Sequence, residues 1–173
     1  MVVRHRNHLG AMTADPQTPT QLADLVDFTV ESTGFYTFGT DKFALYDYTG
    51  LAQAPLSGSP SSNMNGYLAL WGGDFDRNGK IKFTNPNDDL NNLFGNVFLY
   101  EISPGVFNFF TNFDFAFGYQ SGDYDMNSKS KFDNPNDDKN YLFGQLLFYP
   151  LNTGFRSNFD FFIEQVPEAL IDR

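Results

Sequence analysis

The feature that most constrains this chain is an internal duplication. Residues 73–100 align on residues 122–149 at an offset of about 49, with identity at roughly 17 of 28 positions. A period of that length is one supersecondary unit used twice, and each copy opens on an acidic loop. The first reads Gly73-Asp74-Phe75-Asp76-Arg77-Asn78-Gly79-Lys80 and the second Gly122-Asp123-Tyr124-Asp125-Met126-Asn127-Ser128-Lys129. Oxygen-bearing side chains fall at every second position and a turn residue follows the third. In a twelve-residue calcium loop, positions 1, 3 and 5 supply side-chain oxygens, position 6 turns sharply and position 7 offers a backbone carbonyl. Here the side-chain positions are Asp74, Asp76 and Asn78, then Asp123, Asp125 and Asn127. Gly79 and Ser128 make the turn, and Lys80 and Lys129 are the carbonyl donors.

The later positions depart from that pattern. Position 9 is Lys82 or Lys131, which cannot ligate a cation. Position 12, ordinarily a bidentate glutamate, is Asn85 or Asn134. Carboxylates are available just downstream, in Asn85-Pro86-Asn87-Asp88-Asp89 and Asn134-Pro135-Asn136-Asp137-Asp138. The expected loop is therefore lengthened, bulging through the Asn-Pro turn and closing on an aspartate at the head of the next helix. Asp89 and Asp138 are preferred for that role, with Asp88 and Asp137 in reserve. The bland alternative is a pair of Asx turns whose side chains bond only their own backbone.

Each loop is followed by apolar residues at helical spacing: Leu93, Phe94, Val97 and Phe98 within 91–101, and Leu142, Phe143, Leu146 and Leu147 within 140–149. Pro104 and Pro150 are expected to end these helices. Aromatic, extended segments follow at 106–110, 112–115 and 158–161, and the phenylalanines are expected mostly in the core. Upstream, residues 2–14 read as a strand with a turn at Gly10, and its early start suggests a sheet completed by another domain. His5 and His8 lie there, and two histidines alone are more often hydrogen-bonded side chains than metal ligands. Residues 15–22 form a linker. Further strands are expected at 25–30, 34–38 and 43–48, and a Gly-, Pro- and Ser-rich connector spans 49–66.

The fold class expected is α+β, with N-terminal β strands and then a duplicated loop–helix unit. The division is a β-rich segment with linker at 1–66, the tandem repeat at 67–167 (73–120 and 122–167), and a tail at 168–173. The 173-residue chain carries a formal net charge of −10, which argues against a nucleic-acid partner and suits cation binding. It has no cysteine, so disulfides, thiolate sites and cysteine nucleophiles are excluded. No apolar run approaches the ~20 residues of a membrane span, and residues 1–6 lack the apolar core of a signal peptide. Either the protein is cytosolic or it is a processed or excised piece of a longer exported one, and the second reading is favoured.

The quoted stretches, together with Val2–Gly10, Leu68–Asp74, Asn152–Phe159 and Glu164–Pro167, resemble a segment of large secreted proteins of Bacteroidota-type bacteria, described as haemagglutinin-like or dockerin-like. The resemblance covers the N-terminal strand and most of 67–167, and is weakest over 31–66. It implies a dockerin-like unit with two calcium ions, held by Asp74, Asp76, Asn78 and Asp89 and by Asp123, Asp125, Asn127 and Asp138. Ser128 departs from the turn glycine, which predicts a strained, weaker second site. The function expected is a non-catalytic calcium-binding module at the cell surface. It would act in adhesion, surface assembly or docking to a protein partner or like subunits. The alternative is a calcium-dependent carbohydrate-binding module that stacks glycans on an exposed Trp71 or on tyrosines. No hydrolase, metalloprotease or phosphate-loop motif is present, so an enzyme is not expected.

Overall fold

The computed structural model describes residues 1–18, 26–29, 46–47, 68–84, 88–133, 135, 137–149 and 151–159. Among the described residues the architecture is mixed α+β, with small antiparallel strand pairs and two helices. Strand β1 (Val2–His5) pairs with β2 (His8–Met12), and β3 (Tyr46–Asp47) with β4 (Leu68–Ala69). Helix α1 (Asp89–Phe98) leads into the hairpin β5 (Glu101–Ser103) and β6 (Val106–Phe107). Strand β7 (Ala116–Phe117) pairs with β8 (Lys129–Ser130), and α2 (Asp138–Phe148) follows.

Both helices begin for the same reason. The Asp88 and Asp137 carboxylates accept the backbone N–H of Asn91 and Asn140, each at 2.6 Å, and so cap the first turn. An N-cap of this kind contributes about 1 kcal/mol. The helices pack on each other through Leu93 and Val97 of α1 and Leu142 and Leu146 of α2. All four are fully buried, each worth roughly 1.5–3 kcal/mol of burial.

The helices also end alike, through a device that the repeat alignment hides. Asn108 Nδ2 donates to the Val97 carbonyl at 2.8 Å, and Asn152 Nδ2 donates to the Leu146 carbonyl at 2.8 Å. Val97 and Leu146 are matched positions of the two copies, yet the asparagine comes 11 residues later in the first and 6 later in the second. The β5–β6 hairpin accounts for the difference. Pro104 lies in the turn of that hairpin and does not end α1, and Pro150 lies outside the described residues. Among the described residues of the aromatic segments, 106–107 forms a strand, 112–115 leaves a turn without one, and 158–161 is described only as far as 159.

The N-terminal segment differs from its expected form. β1 and β2 form a hairpin with each other, and the turn falls at Arg6–Asn7, not at Gly10, which sits inside β2. Leu9 of β2 joins the central core with Trp71, Ile81 and Tyr149. The strand expected at 25–30 is a turn over its described residues 26–29, because Asp27 Oδ1 accepts both the N–H and the hydroxyl of Thr29, at 2.8 and 2.6 Å. Of the strands expected at 34–38 and 43–48, only Tyr46–Asp47 lies within the described residues, and it is extended. The 49–66 connector lies outside them.

The aromatic side chains sort against expectation. The buried rings are Trp71, Tyr124, Tyr141 and Tyr149, and no described phenylalanine is buried. Phe107, Phe109, Phe110, Phe115 and Phe117 are exposed instead. They make edge and tilted ring contacts such as Phe98–Phe109 at 5.5 Å and Phe115–Phe117 at 6.0 Å. Trp71, at 2% exposure, stacks edge-on against Tyr149 and is not available to a sugar.

The two copies are sewn together by polar side chains. Gln145 of α2 accepts from Gly72 N–H and donates to the Gly72 carbonyl, both at 3.0 Å, at the entrance of the first acidic loop. Tyr124 of the second loop donates its hydroxyl to the Asp89 carbonyl at 2.9 Å, at the start of α1. Gln145→Leu strands both buried polar groups of Gly72. Urea denaturation is expected to show a loss on the order of 2–4 kcal/mol.

Candidate metal centres

The two acidic loops have the same internal wiring. Asp74 Oδ1 accepts Asn78 N–H at 2.9 Å and Oδ2 accepts Gly79 N–H at 3.1 Å. Asp123 does the same with Asn127 and Ser128, at 2.9 and 3.1 Å. Asp76 and Asp125 each accept the N–H of the loop asparagine at 3.1 Å and its side-chain amide at 2.9 Å. The asparagine oxygens then accept Lys80 N–H at 2.8 Å and Lys129 N–H at 3.0 Å. Lys80 is exposed at the loop exit, and Lys129 opens β8. The local Asx turns thus exist, and each leaves its carboxylates with further lone pairs.

A third carboxylate then closes each loop, and the choice between neighbouring aspartates is settled by their hydrogen bonds. Asp89 reaches back to the first loop, accepting Phe75 N–H at 2.9 Å and Lys82 N–H at 2.8 Å. Asp138 accepts Tyr124 N–H at 2.7 Å and Lys131 N–H at 2.8 Å. Asp88 and Asp137 are occupied as helix caps. Oxygens of Asp74, Asp76 and Asp89 lie within 4.8 Å of one another, as do those of Asp123, Asp125 and Asp138. Asn78 and Asn127 stand in the same loops, bonded to Asp76 and Asp125.

These groupings are electrostatically costly without a counter-ion. Asp89 has its pKa pushed up to about 8, mainly by burial, with the charges of Asp74 and Asp76 adding to the rise and two backbone N–H groups opposing it. Asp125 is pushed up to about 6, again mainly by burial, with Asp123 adding. Burial likewise raises Asp138, with Asp125 adding, and Asp123, where the Arg6 charge partly opposes the rise. Three converging carboxylates, with burial opposing the charge of Asp89 in the first loop and of Asp123, Asp125 and Asp138 in the second, are the donor set a hard cation takes. All the donors are oxygen, which suits calcium, magnesium or manganese and not a soft metal.

The turn residue separates the two loops. Gly79 has φ 76° and Ser128 has φ 73°, so the serine occupies the left-handed conformation that only glycine takes freely. Arg77 and Met126 also adopt it, at 62° and 58°, two positions earlier. Ser128→Gly is expected to stabilise the chain by about 0.5–1 kcal/mol in thermal melts, strain relief exceeding the added chain entropy.

Residues that the sequence reading did not assign to the site hold both loops from outside. The Asn7 carbonyl accepts Gly73 N–H and Asp74 N–H at 2.8 and 3.1 Å. Its side-chain amide donates to the Ser121 and Asp123 carbonyls at 3.0 and 2.6 Å. The Arg6 carbonyl accepts Arg77 Nε–H at 3.0 Å, and the Arg6 guanidinium pairs with Asp123 Oδ2 at 3.3 Å. The hairpin turn therefore bonds both loops at once. His8 is buried and has its pKa lowered to about 3 by desolvation, then by His5 and Arg6. His5 and His8 bond each other at 3.0 Å and Asn7 at 3.1 and 2.7 Å, and neither belongs to an acidic cluster. No helix among the described residues is long and apolar enough to cross a membrane. Comparison of the chain with protein-family models, curated proteins and solved structures finds no match.

Proposed function

We propose that this chain is a non-catalytic, calcium-binding structural and interaction module of an extracellular bacterial protein. It acts in adhesion, surface assembly or dockerin-like docking to a protein partner or like subunits. The observation that carries the reading is the repeated triad: Asp74, Asp76 and Asp89, and Asp123, Asp125 and Asp138, each with oxygens within 4.8 Å. Asn78 and Asn127 complete the side-chain donors, and the Lys80 and Lys129 carbonyls are assigned the seventh loop position. The bound ions would neutralise part of the −10 formal charge and tie each loop to the helix after it. The exposed phenylalanines of the β5–β6 region support a role in contact with another surface. The clustered carboxylates are assigned to cations and not to acid–base catalysis.

Calorimetric titration with calcium chloride tests this. The full chain is expected to bind two ions, and Asp74→Ala and Asp123→Ala one each. No binding heat up to millimolar calcium would remove the reading.

A further inference from the structure

The Arg6 guanidinium lies against a carboxylate of the proposed second site, at 3.3 Å. Its partner, Asp123, is the first side-chain ligand of the proposed second site, and the two side chains are only 6% and 4% exposed. It is held in place from several sides. The guanidinium carbon stacks 3.3 Å from the centre of the Tyr119 ring. The adjacent Asn7 is buried and fastened to the Ser121 and Asp123 carbonyls. The Arg6 Nε–H is buried with no acceptor among the described residues. A side chain that leaves a charged donor unsatisfied is poorly explained by hydrogen bonding, and its lasting contribution there is charge. Arg6 and Asp123 also line an open cleft of about 370 Å³ with Tyr119, Met126 and Ser128, so solution ions have a path to the pair.

Resting on the two-ion reading above, we propose that Arg6 is the built-in counter-charge of the second site. It holds the ion-free second loop together, and it sets that loop's affinity by opposing the cation that enters. The two effects have opposite signs, because a buried carboxylate that loses its partner is strongly destabilised, whereas a divalent ion a few ångströms from a guanidinium is repelled. With calcium present, the ion takes over the partnership with Asp123.

The experiment uses calcium chloride as the probe and the full chain carrying Asp74→Ala, so that only the second site responds. Calorimetry is expected to show calcium binding roughly tenfold tighter or more when Arg6→Met is added, and near the parent value when Arg6→Lys is added. Thermal melts supply the second readout. Arg6→Met should lower the melting temperature in chelator and recover most of the loss in saturating calcium, giving a larger calcium-induced shift than the parent. A role in packing alone would lower both melts equally and leave the affinity unchanged, and that result overturns the proposal. Arg6→Lys behaving like Arg6→Met would overturn it too, since charge would not be the cause. A parent chain that takes up no calcium would instead fail the two-ion reading itself.

Discussion

Raising free calcium from chelator levels to about 1,000 times the site dissociation constant is expected to lift the melting temperature by on the order of 15–30 °C. A ligand that binds only the folded state stabilises it by about 4 kcal/mol per site at that saturation, and the proposal has two sites. In a chain of this size each kcal/mol moves the midpoint by about 2–4 °C. The effect is large because each triad draws three carboxylates together in a mostly buried setting, where Asp89 and Asp138 are almost without solvent contact. Asp76→Asn, at the exposed ligand of the first loop, should remove close to half of the shift while barely changing the melt in chelator. Differential scanning calorimetry checks both. Superimposable melts with and without calcium would count against the account.

The second large effect is a pH dependence of unusual sign. In the ion-free protein, Asp89 holds its proton up to about pH 8 and Asp125 up to about pH 6, whereas an unfolded aspartate loses it near 3.9. Between those limits the folded state binds more protons than the unfolded one, so stability falls as pH rises. Below about pH 4 both states are protonated, so this stability is fully present and no longer varies with pH. His8 works the other way, because its folded pKa of about 3 lies below the unfolded 6.5, and it adds stability as pH climbs to that value. The clearest window is therefore pH 6.5–8, where His8 is neutral in both states and Asp89 still titrates. Urea melts in chelator should show a declining midpoint across that window. Calcium binding should tighten over the same range and release protons, read by calorimetry in buffers of different ionisation heat. A midpoint that stays level or rises would show that the carboxylates are not held as described.

The acidic loops were legible in the sequence because the signal was local and doubled. Alternating oxygens, the turn residue and the helix-capping aspartates all lie within one repeat, and the second copy reproduces them. The sequence offers an aspartate pair after each loop, and the bonds to the loop N–H groups separate Asp89 and Asp138 from the capping Asp88 and Asp137. What escaped was tertiary. The Arg6–Asn7 turn bonds residues more than a hundred positions away, and nothing near it in the chain marks that role. Asn108 and Asn152 do equivalent work at unequal distances from their helices, so the repeat register conceals them.

Gln145 was more accessible, being a polar residue three positions after Leu142 on an otherwise apolar helix face. A buried glutamine there needs two backbone partners, and Gly72 supplies both. The phenylalanines misled because hydrophobicity does not distinguish a core ring from a surface one. The buried Tyr124 carries a hydroxyl whose partner, the Asp89 carbonyl, lies in the other copy, whereas Phe109 and Phe110 project from the stretch after the inserted hairpin.

The most direct test is diffraction from crystals grown with calcium, with anomalous difference density examined at both loops. The account requires one peak among the oxygens of Asp74, Asp76, Asn78 and Asp89, and a second among those of Asp123, Asp125, Asn127 and Asp138. Well-ordered loops with no peak at either position in millimolar calcium would contradict it.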